Sequence, residues 1–183
     1  MHRFNDDQLS RLQLPLLQWY YEQSNLRHID LVRIDNSITE RGYTLLAVYF
    51  AILTAAVGYI LTHLGVANDI ALSTACISVV VFGVIAMGYI GKVIWPHAIY
   101  SPGKMPDGFN VASYVNYFTA NKVTGDMQFK RILNDELVEL QRKSTQLETS
   151  NANRSKQLMF SIGFMLLGSG LAVALFMLYT FIL

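Results

Sequence analysis

Residues 158–183, LMFSIGFMLLGSGLAVALFMLYTFIL, form a run of twenty-six residues without a charged side chain. Two similar runs precede it: TLLAVYFAILTAAVGYILTHL at residues 44–64 and IALSTACISVVVFGVIAMGYIG at residues 70–91. An α-helix needs about 20 apolar residues to cross about 30 Å of hydrocarbon. The sequence therefore predicts three transmembrane helices, with a tight hairpin at residues 65–69 between the first two.

The composition agrees with a membrane protein. Of the 183 residues, 52% are hydrophobic and only 15% are charged, and the mean hydropathy is +0.32. An average soluble domain is about 25% charged. The formal net charge of +1 lacks the strong basic balance of nucleic-acid-binding proteins, so no direct nucleic-acid binding is expected. The single cysteine, Cys76, excludes an intrachain disulfide framework and a cysteine-based zinc site.

The distribution of basic residues predicts the topology. Five arginines precede the first apolar run, and nine Lys or Arg residues lie between residues 92 and 157. The 65–69 hairpin and the C-terminal end contain none. By the positive-inside rule, the N-terminus and the middle segment are expected in the cytoplasm and the C-terminus outside, with Tyr43 and Trp95 at the inner interface. The first apolar run begins too late for a cleaved leader, so none is expected.

These observations predict an all-α integral membrane protein with a cytosolic helical module. The module consists of the N-terminal segment, residues 1–43, and of residues 92–157. Apolar side chains recur at helical spacing near the N-terminus, where Pro15 either kinks a helix or begins one. Further along, Leu31, Ile34 and Ile38 predict an apolar stripe, and a polar face carries Arg27, Asp30, Arg33, Asp35, Glu40 and Arg41.

The middle segment begins with an irregular insert that is rich in proline and glycine, residues 96–108. Residues 111–118, VASYVNYF, are predicted as a short helix in preference to an edge strand. Asp126 is a candidate N-cap for the helix that follows. Because no Pro or Gly interrupts residues 126–162, that helix is expected to run from the cytosol into the membrane, over about 85 Å. It would serve either as a lever or as a stalk.

A seam with alternating steps of four and three residues runs along this last helix. Its members are Leu133, Leu137, Leu140, Ser144, Leu147, Asn151, Arg154 and Leu158. The spacing is typical of a coiled-coil-like contact, which here becomes polar toward the membrane.

No constellation for catalysis or metal binding is apparent. The four histidines, at positions 2, 28, 63 and 97, are never paired at ligand spacing, and no nucleophile-elbow, phosphate-loop, dinucleotide or zinc-protease motif occurs. Asp135 and Glu136 are expected to be solvated surface. We therefore expect a protein that is not an enzyme and that has no cofactor or metal.

Small residues within the spans favour close helix packing. They are Ala47, Ala51 and Ala55 in the first span and Gly163, Gly168, Gly170 and Ala174 in the third. With only three spans in the chain, self-association into a homo-oligomer is favoured over packing within one chain.

The layout resembles the small transmembrane effectors of bacterial nucleotide-signalled anti-phage systems, the Pycsar membrane effectors and their relatives. The similar residues are Ile34-Asp35 and Tyr43-Thr-Leu-Leu46 at the first span, Tyr100-Ser-Pro-Gly103 and Met105-Pro106 after the second, and Asn151 to Leu158 at the third. The resemblance covers nearly the whole chain, but no separate nucleotide-binding domain is recognisable.

The resemblance implies an effector in the bacterial inner membrane. It would be triggered by a cyclic nucleotide or a cytosolic partner protein, and would then oligomerise or rearrange and permeabilise the membrane. A phosphate-bearing ligand favours cations beside aromatic rings. The candidate ligand-binding residues are Arg27, Arg33, Tyr100, Lys104, Tyr114, Lys130 and Arg131. The alternative is a non-enzymatic membrane scaffold whose seam from Leu133 to Leu147 recruits a cytosolic protein.

Overall fold

The computed structural model describes residues 4–63, 70–95, 111–123 and 125–181. All regular structure in these residues is α-helical, as predicted: α1 (Asp6–Arg11), α2 (Leu14–His63), α3 (Ile70–Ile94), α4 (Val111–Ala120) and α5 (Asp126–Phe181). Three of these helices, α2, α3 and α5, each contain an apolar window long enough to cross a membrane. The predicted all-helical architecture is confirmed, together with three helices that are long and apolar enough to cross a membrane.

The chain divides into two compact units. The first unit comprises Met1–Asp35 and Ala98–Ser150, and the second comprises Asn36–His97 and Asn151–Leu183. Both α2 and α5 contribute residues to each unit, because each helix continues through the boundary. The Pro-rich insert that the sequence singled out lies outside the described residues.

Local sequence explains where the first two helices begin. Asn5 and Gln8 form a capping box, in which each side chain accepts a hydrogen bond from the other residue's backbone N–H, at 2.9 and 3.0 Å. Pro15 is the second residue of α2. A proline is tolerated in the first turn because the N–H groups there have no helical acceptor. Pro15 therefore begins a helix and does not kink one.

The beginning of α5 differs in detail from the prediction. The preceding residue, Gly125, has a φ of +60°, a left-handed conformation that favours glycine, and Asp126 is itself the first helical residue. The assignment of Asp126 as N-cap is therefore wrong. An acidic side chain in the first turn still interacts favourably with the positive end of the helix dipole. Residues 111–118 are helical within α4, as predicted.

The seam on α5 is confirmed. Every seam position from Leu137 to Arg154 is buried. In the first unit, Leu137 packs in an apolar cluster with Leu9 of α1 and Leu17 of α2. The seam is thus occupied by the chain's own helices, so it is not available to recruit a partner protein as the scaffold hypothesis assumed.

The prediction of an apolar, buried stripe on α2 is wrong at Ile34. Ile34 is exposed, whereas His28 and Asp35 are fully buried, although Asp35 was placed on the polar face. The reason is visible at His28, whose Nδ1 lies 3.1 Å from the hydroxyl oxygen of Ser144 on α5. Because the seam contains polar positions, the side of α2 that packs against it also carries polar groups.

Small residues bring α3 and α5 close together in the second unit. The hydroxyl of Ser161 donates to the carbonyl of Ala86 at 2.9 Å. The hydroxyl of Ser78 donates to the carbonyl of Ala75 in its own helix at 2.8 Å and also lies 3.3 Å from the carbonyl of Gly168. A Cβ atom added at Gly168 would lie 2.6 Å from the Cβ of Phe82. Such contacts are typical of helices that pack through small residues in a membrane.

Arg154 ties three helices together in the second unit. Its Nε and Nη2 atoms donate to the carbonyl of Val93 at 2.9 and 2.6 Å, and Nη2 also donates to the hydroxyl of Thr39 at 2.7 Å. Val93 lies in the last turn of α3, where carbonyls lack helical donors. The positive charge of Arg154 at the C-terminal end of α3 also interacts favourably with the helix dipole.

Candidate functional site

A cleft of about 570 Å³ lies in the first unit between α1, α4 and α5. Its lining combines aromatic, acidic and basic side chains: Phe4, Asn5, Asp6, Leu9, Ser113, Tyr114, Tyr117, Phe118, Arg131, Asn134 and Asp135. Small-molecule sites usually measure about 300–1,000 Å³ and are concave and partly apolar. We therefore treat this cleft as the candidate functional site.

Contacts over a long sequence separation hold the walls of the cleft in place. Asn134 receives a hydrogen bond from the backbone N–H of Phe4 at 3.4 Å, and its amide donates to the carbonyl of Phe4 at 3.2 Å. Leu9 then anchors α1 in the apolar cluster beneath. On the α4 side, the rings of Tyr114 and Phe118 stack with their centres 5.9 Å apart.

Arg131 is the central charged residue of the cleft. Its Nη1 donates to the hydroxyl of Tyr117 at 2.8 Å, and its Nη2 forms an ion pair with Asp6 at 2.7 Å. The guanidinium also lies over the Tyr117 ring, 5.3 Å from its centre. The side chain is only 16% exposed. Its Nε is buried and has no hydrogen-bond acceptor within the described ranges.

The charge balance of the cleft limits what it can bind. Asp6 and Asp135 are acidic and Arg131 is the basic lining residue, so the formal charge of the lining is −1. The hydroxyl of Tyr114 lies 3.5 Å from a carboxylate oxygen of Asp135. A phosphate-bearing ligand would therefore need to replace the carboxylate of Asp6 on Arg131, whereas aromatic rings and N–H donors of a ligand find partners without such a replacement.

Two of the seven predicted ligand-binding residues meet in this cleft, namely Tyr114 and Arg131. Lys130 precedes Arg131 on α5 but does not line the cleft. Tyr100 and Lys104 lie outside the described residues. Asp135 lines the cleft and Glu136 is buried, so the expectation that both are solvated surface is wrong.

The other two predicted residues lie elsewhere on α2. Arg27 forms an ion pair with Glu148 at 2.9 Å and lines a second cleft, of about 310 Å³, with residues of α5. The two side chains are 66% and 56% exposed, so this pair contributes little to stability. Arg33 is exposed and lies 3.7 Å from Asp30, one turn away. For Arg33 the simpler interpretation, a solvated helix face, fits the structure.

Sequence reasoning missed Tyr117, Asp6 and Asn134. Their only sequence signal was position: Asp6 follows a helix cap, and Tyr117 belongs to a short aromatic helix. Within the described residues, no group of three or more His, Cys, Asp or Glu side chains has the geometry of a metal site.

The predicted packing residues divide into two groups. Gly168 contacts Phe82 within the chain, so self-association is not needed to explain it. The remaining small residues have open surroundings: Ala47, Ala51, Ala55, Gly170 and Ala174 are exposed, and a Cβ atom at Gly163 would meet nothing within 4 Å.

In comparisons with known proteins, no protein-family model, curated protein or solved structure matches the chain.

Proposed function

We propose that the protein is a non-enzymatic membrane effector of a bacterial anti-phage defence system. In this proposal the N-terminus and the first unit are cytoplasmic, the C-terminus is periplasmic, and α2, α3 and α5 cross the inner membrane. A trigger that binds the first unit causes the chain to rearrange or oligomerise, and the membrane becomes permeable. The distribution of Lys and Arg supports the orientation, and the sequence resemblance supports the role in defence.

The continuity of α5 is the observation that carries the proposal. The helix contains Arg131 of the cleft near its N-terminal end and an apolar window long enough to cross a membrane. Its 56 residues span about 84 Å at 1.5 Å per residue. A ligand that changes the contacts of Arg131 therefore acts on the same helix that enters the membrane. The proposal therefore takes α5 to be a lever.

In this proposal the trigger combines a ring with a phosphate, as a cyclic nucleotide does, and its phosphate displaces the carboxylate of Asp6 from Arg131. Tyr114 and Tyr117 offer aromatic faces for a base, and Arg131 offers a guanidinium for the phosphate. Binding of the phosphate would break the ion pair between Arg131 and Asp6. Loss of this pair would weaken the attachment of α1 to α5, which the contacts of Phe4 with Asn134 and of Leu9 with Leu137 continue to hold.

The exposed small residues support the oligomeric part of the proposal. Ala47, Ala51 and Ala55 lie one turn apart on α2, and Gly170 and Ala174 do so on α5. Helix faces of this kind allow the backbones of two chains to approach closely in a bilayer.

The scaffold alternative is supported by a different surface. In the first unit, α2 exposes a row of large apolar side chains: Leu16, Trp19, Tyr20, Leu26 and Ile34. Large exposed apolar patches are typical of protein interaction sites. A scaffold would therefore recruit its partner through this row, and membrane permeability would not change on binding.

A leakage assay tests the proposal. The purified protein is reconstituted into liposomes loaded with a dye, and release is recorded with and without cyclic mono- and oligonucleotides. We expect release with one nucleotide only. Arg131→Gln should abolish that release, because the phosphate loses its guanidinium. Arg33→Gln, which removes an exposed cation of α2, is the matched control and should leak as the wild type does.

The outcomes separate the candidate functions. Release that requires a nucleotide and Arg131 supports the effector with the cleft as receiver. Equal loss in both arginine variants contradicts the assignment of the cleft. If no nucleotide causes release and the protein co-purifies with a soluble partner through the Leu16–Leu26 face, the scaffold replaces the effector.

A further inference from the structure

A second candidate binding surface lies in the second unit, at the C-terminal end of α3. An open groove of about 320 Å³ is lined by Gly88, Gly91, Lys92 and Trp95. A Cβ atom added at Gly88 or Gly91 would meet nothing within 4 Å, so the groove exists because these two positions lack side chains. Trp95 is 74% exposed beside it.

The groove continues into an apolar helix face. Val81, Val84 and Ile85 are exposed and precede Gly88 at intervals of three and four residues, so they lie on the same side of α3. Along this side the chain passes from branched apolar residues, through two glycines, to a lysine and a tryptophan. A tryptophan next to a basic residue at the end of an apolar span is typical of the level of lipid headgroups.

The charge at this end of α3 favours an anion. The ammonium of Lys92 lies 5.4 Å from the centre of the Tyr89 ring, and among the described residues no carboxylate lies within ion-pair distance of it. The C-terminal end of a helix carries about half a negative charge. The full positive charge of Lys92 outweighs it. The carbonyl of Val93, in the same turn, is already bonded to Arg154.

The depth of Lys92 in a bilayer indicates which kind of molecule the groove would bind. α3 has 25 residues, about 38 Å, and the hydrocarbon is about 30 Å thick, so Lys92 near its end reaches the headgroup layer. A molecule bound here must present a negative group at that depth and an apolar chain beside Val84 and Ile85. We propose that the groove binds an anionic phospholipid, with its phosphate on Lys92, its glycerol region beside Trp95 and an acyl chain over Gly88.

Trp95 provides a direct reporter. The sequence contains two tryptophans, Trp19 and Trp95, so Trp19→Phe leaves one fluorophore at the groove. This variant is reconstituted into phosphatidylcholine vesicles that contain a small fraction of brominated lipid, either phosphatidylglycerol or phosphatidylcholine. A basic residue near the surface favours anionic lipid by about fivefold. We expect brominated phosphatidylglycerol to quench Trp95 at about one fifth of the fraction that brominated phosphatidylcholine needs.

Matched variants test whether the preference for phosphatidylglycerol depends on Lys92 and on the groove. Lys92→Gln should abolish the preference for phosphatidylglycerol, whereas Lys156→Gln, the same loss of charge at an exposed position on α5, should preserve it. Gly88→Leu should weaken quenching by both lipids because the side chain fills the groove. Gly58→Leu, at an open position on α2, should not. Circular dichroism of each variant verifies that the helices are retained.

Three results would overturn the proposal. Equal quenching by the two brominated lipids removes the headgroup preference. Equal losses in Lys92→Gln and Lys156→Gln assign the preference to general surface charge and not to the groove. Soluble glycerol phosphate that eliminates the preference at millimolar concentration makes the ligand a free phosphate and not a lipid. None of these results depends on the proposed effector function, because no trigger is present.

Discussion

Replacing Gly168 by alanine places a methyl group where Phe82 already lies. The new Cβ atom would be 2.6 Å from the Cβ of Phe82 and 3.2 Å from its Cγ, against 3.4 Å or more in an ordinary contact. Because the first neighbour is the root of a side chain, α3 and α5 must separate by about 0.8 Å. The contact of the Ser78 hydroxyl with the carbonyl of Gly168, the longer branch of a hydrogen bond shared with Ala75, would lengthen from 3.3 Å.

The cost can be estimated against a control two residues away. Overpacking of a well-packed contact costs about 1–3 kcal/mol, and a hydrogen bond between membrane helices contributes about 0.6 kcal/mol. Gly170→Ala introduces the same methyl group at a position with no neighbour within 4 Å. Both variants gain the same helix propensity, so it cancels in their difference. We expect Gly168→Ala to be less stable than Gly170→Ala by about 2 kcal/mol.

Unfolding in mixed micelles measures this difference. Each variant is titrated with sodium dodecyl sulfate, and loss of helix is followed by circular dichroism. A difference below about 0.5 kcal/mol, the usual range for substitutions at open positions, would refute the close approach of α3 and α5. Gly168→Leu and Gly170→Leu enlarge the contrast. If Gly170→Leu instead changes only the oligomeric state, that glycine belongs to a contact between chains.

Three further substitutions test other contacts by the same unfolding measurement. Leu137→Ala should cost about 3 kcal/mol because it leaves a cavity beside Leu9 and Leu17, whereas Leu26→Ala, at an exposed position, should cost less than about 0.5 kcal/mol. Arg154→Ala should cost about 3 kcal/mol because the carbonyl of Val93 loses both of its guanidinium donors; a neutral result would contradict this role. Asn5→Ala should cost about 1 kcal/mol by removing the capping box, and no change would indicate that α1 is held by packing alone.

Features with strong periodicity or sufficient length were predictable from the sequence. The three apolar runs predicted α3 and the apolar parts of α2 and α5, because a helix is the structure in which a long apolar segment satisfies its own backbone in a membrane. The seam on α5 was predictable for a related reason. Steps of three and four residues place Leu137, Ser144 and Leu147 on one side of a helix whatever their polarity.

Features that depend on partners distant in the sequence were not predictable. Periodicity alone favoured Ile34 over Asp35 as a buried residue of α2, since it contains no information about the polar side chains that meet that helix. The cleft is a clearer case. Asp6, Tyr117 and Arg131 come from three separate helices, and each has an ordinary role as a surface residue when its segment is considered alone.

The first unit is assembled from the beginning and the middle of the chain, and this order has a consequence during synthesis. Leu9 and Leu17 emerge from the ribosome early, but Leu137, with which they pack, follows Leu17 by 120 residues. At about 5–20 residues per second, that interval lasts about 6 to 24 s. Within it, the apolar segments of α2 and α3 have already been translated. The leucines of the N-terminal helices are therefore synthesised well before the residue that completes their cluster, and they remain without it for this interval.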